Sequence, residues 1–184
     1  MNMQDLRSDE GHYKLVVGFA DMLSDKLNAK KEVVIPAAIF HDIGYYGISE
    51  KKLSDLMAKK LSSEEEKSIK DFHMANGAKL AKNILVKLNY PGEFTDEIVG
   101  IVLRHDLKSN PKSVEESIVR DSDKLWRYSK KGFFLDVKRR SCQPIEWYNK
   151  LLENLSKKDY FWLDISKDIA LSELEKRKKE FSNE

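Results

Sequence analysis

The chain of 184 residues contains four histidines, His12, His41, His73 and His105, at intervals of about 30 residues. Each lies among apolar neighbours: Leu15 follows His12 by three, Phe40 precedes His41, Phe72 precedes His73, and Leu103 stands close before His105. A single histidine in such a setting reads as a core side chain satisfied by one hydrogen bond. Four, each on the inward face of a different expected helix, read as a ligand set. Asp42 directly follows His41 at the end of an apolar run. A carboxylate is costly to bury alone, whereas a divalent cation neutralises it and its two oxygens can bridge two ions. Asp121 and Asp123 offer a further carboxylate. Four imidazoles and two carboxylates exceed the four ligands of a tetrahedral zinc. They suit two octahedral ions (iron, manganese, cobalt, nickel or magnesium) with positions open to water and substrate.

The elements that must carry these residues are helical. From Gly11 to Asn28, apolar residues recur at three- and four-residue steps, the stripe of a half-buried helix. A second, apolar helix is expected to start near Pro36, whose fixed φ suits a first turn, and to stop at Gly44. A short helix is expected within the connector Tyr45–Lys60, at Ser49–Lys59. Ser62 to Glu66 reads as a capped start for a helix to about Leu88, with Ile69, Phe72, Leu80, Ile84, Leu85 and Leu88 inward. After the break at 89–92, Thr95 is expected to cap a helix bearing Ile98, Ile101, Val102 and His105. Ser113 with Glu116 begins another, through about Lys130. Two more are expected at 144–155 and 164–181. No alternating pattern with hairpin signals appears, so an all-α single domain is expected, with its metal-binding core at about 11–130 and a C-terminal helical extension at about 144–181.

The segment His41-Asp42-Ile43-Gly44 resembles the HDIG signature of the HD-domain superfamily of metal-dependent phosphohydrolases. The ordered series His12, His41-Asp42, His73, His105, Asp123 is similar to that superfamily's two-metal pattern, over roughly Gly11 to Tyr128. Asp106 after His105 forms a second, accidental doublet, so it is the ordered set that carries the resemblance. Ser122-Asp123-Lys124-Leu125 resembles the family's closing segment and favours Asp123 over Asp121, which becomes a supporting or solvated carboxylate. The resemblance implies an HD-domain-like bundle of about five core helices. It implies His12, His41, Asp42 and Asp123 on one ion, and His73 and His105 on a second, with Asp42 bridging. It also implies hydrolysis of a phosphomonoester or phosphodiester, in a nucleotide or similar small molecule, by a metal-bound hydroxide, for which Asp42 counts as catalytic. Lys124 and Arg127 are the foremost cations for the phosphate, with Lys14 and Arg104 behind them. An HD-fold di-iron oxygenase, similar to myo-inositol oxygenase, and a catalytically silent nucleotide-binding module are the competing readings.

Other features weigh less. Tyr45, Tyr46 and Gly47 read either as a pocket wall or lid that contacts substrate or as a connector covering the core. The basic stretch Lys130 to Arg140 reads as a solvated helix face or a phosphate-attracting patch. The aromatic C-terminal part reads as packing against the bundle or a second copy, so a homodimer is possible. Composition narrows the classes further. Apolar residues at 41% suffice for a core, and 33 basic against 31 acidic residues leave +2, no global case for nucleic acid or an anionic membrane. The single cysteine, Cys142, excludes an intrachain disulfide and a cysteine-rich metal site. No signal peptide or membrane span is expected, and the cytoplasm is the expected compartment.

Overall fold

Apolar stripes at helical spacing fold into helices throughout the computed structural model, which describes residues 11–57 and 60–182. Nine α-helices and two 3-10 turns form among the described residues, and no strand does. The fold is all-α. The chain divides into two compact units, 1–119 and 120–184.

In the first unit, α1 (His12–Leu27) buries Val16, Ala20 and Leu23 completely. It packs on α2 (Lys31–Phe40), which in turn packs on α4 (Ser63–Lys87) and α5 (Gly92–Arg104). A 3-10 turn, Ile43–Tyr45, lies against α4. The short α3 (Glu50–Met57) adds Leu53 to a small cluster with Tyr45 and Ile69. Ser62 and Glu65 close a reciprocal cap at the start of α4: the Ser62 hydroxyl accepts from the Glu65 N–H, and the Glu65 carboxylate accepts from the Ser62 N–H. Two of the donors that a helix start leaves open are thereby satisfied. The helix α6 (Val114–Leu125) begins in this unit, where the Ser113 hydroxyl accepts from the Glu116 N–H, and ends in the next.

Several boundaries differ from expectation for identifiable reasons. Helix α2 starts at Lys31, so Pro36 lies inside it. Proline cannot donate to the carbonyl four residues back, here that of Glu32. The Tyr90 hydroxyl donates to that oxygen instead, at 2.8 Å, so the helix tolerates the proline. The helix also ends before Gly44, which lies in the 3-10 turn. Thr95 is not a cap. Helix α5 opens at Gly92 after Pro91, and Thr95 is buried one turn inside. Phe72 and Leu88 are exposed: the buried stripe of α4 runs through Ile69, His73, Gly77, Ala81 and Leu85, and neither falls on it.

The second unit continues from α6 through a 3-10 turn, Trp126–Tyr128, that ends the expected helix early. The Ser129 hydroxyl then accepts from the Gly132 N–H and caps α7 (Lys130–Arg140), the helix formed by the basic stretch. Helices α8 (Pro144–Leu155) and α9 (Asp164–Ser182) follow close to expectation. Tyr128, Phe133, Leu151 and Leu174 form the centre of this unit. Arg177 is buried there, its guanidinium donating to the Tyr128 carbonyl and to Glu173 and Glu180.

Candidate metal centre

All four histidines are buried, and with Asp42 they converge within the first unit. The positions follow from helix ends. His12 is the first residue of α1, after Gly11 in the left-handed region at φ 79°. His41 and His105 occupy the same local position, directly after the last residue of α2 and α5. Each turns its ring back along its own helix, so that Nδ1 lies 2.8 Å from the carbonyl three residues earlier, Ala38 and Val102. A carbonyl only accepts, so Nδ1 carries the proton in both. In the neutral ring Nε2 then keeps its lone pair, the form a metal requires. Sequence reading did not find this lock, because the acceptors are main-chain atoms that depend on where the helix stops.

His73 is held differently, on the buried stripe of α4. The Tyr45 ring stacks on it with centroids 4.3 Å apart and planes 13° from parallel. Tyr45 is itself buried with Leu53 and Ile69. The ring packs on a ligand candidate. Tyr46 is half exposed.

Asp42 lies at the centre. Its Oδ2 is 3.4 Å from His41 Nε2 and 3.8 Å from His12 Nε2. Its Oδ1 is 3.7 Å from His105 Nε2 and 3.9 Å from His73 Nε2. Within each pair the imidazole nitrogens approach to 3.2 Å (His12 and His41) and 3.3 Å (His73 and His105). Two ligands at right angles on an ion with bonds of about 2.1 Å stand about 3 Å apart, so the spacing is that of neighbouring ligands. Two triads result, His12–His41–Asp42 and Asp42–His73–His105, with donor atoms within 4.8 Å of one another in each. The donor set fits a divalent metal: imidazole lone pairs with a carboxylate, and no sulfur. An isolated buried carboxylate would cost several kcal/mol, a cost that cations offset.

The glycine of the signature has a steric purpose. A Cβ on Gly44 would lie 1.7 Å from the His73 carbonyl oxygen and 2.5 Å from the Gly77 nitrogen. Only glycine lets the turn bearing Asp42 sit directly on the α4 backbone beside His73.

The cationic candidates have partners. Arg104 in α5 donates through Nη2 and Nε to the buried Glu116, at 2.8 and 3.2 Å. Lys14 is exposed, its ammonium 6.0 Å from the Tyr13 ring centre. In the second unit, Lys124 donates to the Tyr160 carbonyl and lies near the Tyr160 and Trp162 rings. Arg127 Nε is 3.8 Å from Asp136, and its guanidinium is 5.7 Å from the Trp126 ring. Asp123 is half-buried on α6. Asp121 is fully buried and accepts from the Trp162 and Leu163 N–H groups at 3.0 Å. It therefore fastens the chain entering α9 and is not a solvated carboxylate. Burial pushes its carboxyl up to about 6 against the lowering effect of those amides and Lys124.

Away from the clustered side chains, the segment 47–49, Lys52 of α3 and the first half of α4 line an open groove of about 360 Å³, with Ile48, Ser49, Ser68, Ile69 and Phe72 among its walls. No helix among the described residues is long and apolar enough to cross a membrane.

No curated protein matches the chain, and no solved structure does. A family model, the HD domain, matches residues 10–127, a span that contains every histidine and the Asp42 doublet. With the two triads built on that series, the chain belongs to the HD domain family.

Proposed function

We propose that the chain is a metal-dependent phosphohydrolase that cleaves a phosphomonoester or phosphodiester of a nucleotide or similar small molecule. One observation carries the reading: the two oxygens of Asp42 face separate imidazole pairs, the arrangement expected of a carboxylate shared between two ions. In the proposal His12, His41, Asp42 and Asp123 hold one divalent ion, and Asp42, His73 and His105 hold the other. Asp123 enters from its place in the ordered series. When bound, the two ions supply a water acidic enough to attack phosphorus near neutral pH, and they draw off charge from the phosphoryl oxygens.

The protein's own part is positional. The Ala38 and Val102 carbonyls set the neutral tautomer of His41 and His105 that leaves Nε2 toward Asp42, Tyr45 steadies the His73 ring, and Asp42 sets the separation of the two triads. Lys124 and Arg127 enter the proposal as the side chains to be tested first for contact with the phosphate, and Lys14 after them. Arg104 is tied to Glu116 and braces the end of α5 from which His105 projects.

The test begins with metal analysis of the native protein. A panel of phosphate esters follows, with added manganese, cobalt, nickel, iron or magnesium. His41→Ala and Asp42→Ala are expected to lose bound metal and turnover together, by two orders of magnitude or more. Full activity in either variant, or oxygen uptake without phosphate release, would overturn the reading.

A further inference from the structure

Asn76 lies three residues after His73 on α4, on neighbouring faces of the helix, and sequence reading gave it no role. Its side-chain nitrogen donates to the Gly44 carbonyl at 3.0 Å and to the Tyr46 carbonyl at 2.7 Å. An amide NH2 has two hydrogens, and both acceptors are main-chain oxygens that cannot donate, so the amide orientation is dictated by its partners. These carbonyls belong to the short turn that begins at Asp42, where the Tyr45 N–H returns to the Asp42 carbonyl at 3.1 Å. A single side chain thus joins the turn bearing the shared carboxylate to the helix bearing His73.

We infer that Asn76 is a positioning residue that holds the Asp42–His73–His105 triad together. The inference rests on the reading of the two triads as ion sites. The physical case is one of geometry. His12 and His41 are carried by α1 and the end of α2, and Asp42 follows His41 directly in the chain, so no member of the first triad is carried on α4. Within the second triad, His73 alone comes from α4, and its distance to Asp42 depends on how the turn is seated on that helix. Close approach at Gly44 allows that seating. The two hydrogen bonds of Asn76 fix it.

The experiment uses the full chain, stripped of metal and titrated with Mn2+ or Co2+ alone. In Asn76→Ala the affinity of one of the two ions is expected to fall roughly 10–100-fold, the usual cost of losing a supporting group, while the other ion binds as before. Asn76→Asp, which sets an acceptor against two acceptors, should lose more. In the metal-free protein, hydrogen exchange at the Tyr45, Tyr46 and Ile48 amides should accelerate in both variants. Ser62→Ala, which weakens α4 at its cap without touching the turn, should bind both ions normally. If Asn76→Ala is too unstable to titrate, Asn76→Ser retains one donor and is expected to give an intermediate loss.

Two unchanged ions in Asn76→Ala would overturn the inference and leave the metal reading intact. Equal loss of both ions, or the same selective loss in Ser62→Ala, would also overturn it, since either marks general loosening of the helix. A wild-type chain that takes up neither metal would overturn both.

Discussion

Asp42 is placed so that each of its oxygens lies under 4 Å from two imidazole nitrogens, and much of the surrounding residue-level detail serves to keep it there. The types of the clustered side chains are legible in the sequence because histidine is rare in this chain and every copy falls at an apolar position. What the sequence hides is how rings are oriented. The acceptors for His41 and His105 are carbonyls of Ala38 and Val102, and any residue would supply the same atom. Tyr45 is ambiguous for a related reason, since an aromatic residue after an HDIG segment fits a lid and a buried stack equally well. Gly44 allows a sharp test. Gly44→Ala would drive a methyl group into the His73 carbonyl, and backbone cannot yield as a flexible side chain does. A loss of about 4 kcal/mol or more is expected, in the exceptional range for single substitutions, measured by urea unfolding. A loss under about 1 kcal/mol would show that the turn sits less closely on α4 than described.

At the scale of elements, helix existence was readable and helix ends less so. The buried stripes of α1, α4 and α5 follow the 3.6-residue period, and the start of α4 was visible as a serine three residues before a glutamate. Ser62→Ala should cost about 1 kcal/mol, typical of a lost cap, read as a lower thermal midpoint. No change at all would mean that water replaces the cap fully. The start of α2 lies five residues before the proline that marks a first turn in the sequence, which gives no sign that a hydroxyl 54 residues further along, Tyr90, serves the carbonyl that Pro36 leaves open. The basic stretch Lys130 to Arg140, which reads as a solvated helix face or a phosphate-attracting patch, is helix α7; its cap at Ser129 is not announced, because two lysines and a glycine follow the serine. Exposed Phe72 is another miss. It precedes His73 but stands off the buried stripe by about 100°, the rotation per residue of an α-helix.

For the whole molecule, the histidine–carboxylate centre makes stability depend on what is bound. Ions that bind the folded chain and not the unfolded one add about 2.7 kcal/mol at a free concentration one hundred times Kd. The thermal midpoint is therefore expected to rise with added Mn2+ or Co2+ and to return on chelation. A midpoint indifferent to both would count against ion binding at the centre. The hydroxyl of Tyr90, on the linker between α4 and α5, and the ring of Pro36, inside α2, add a different kind of dependence. Pro36→Ala restores an N–H able to reach the Glu32 carbonyl. Tyr90→Phe should then cost about 1 kcal/mol in the wild-type chain, a typical net hydrogen bond, and close to nothing in the Pro36→Ala background. Equal costs in the two backgrounds would dissolve the link. If it holds, the two positions behave as one heritable character: a lineage is free to discard the hydroxyl after the proline has gone, and penalised for doing so in the reverse order.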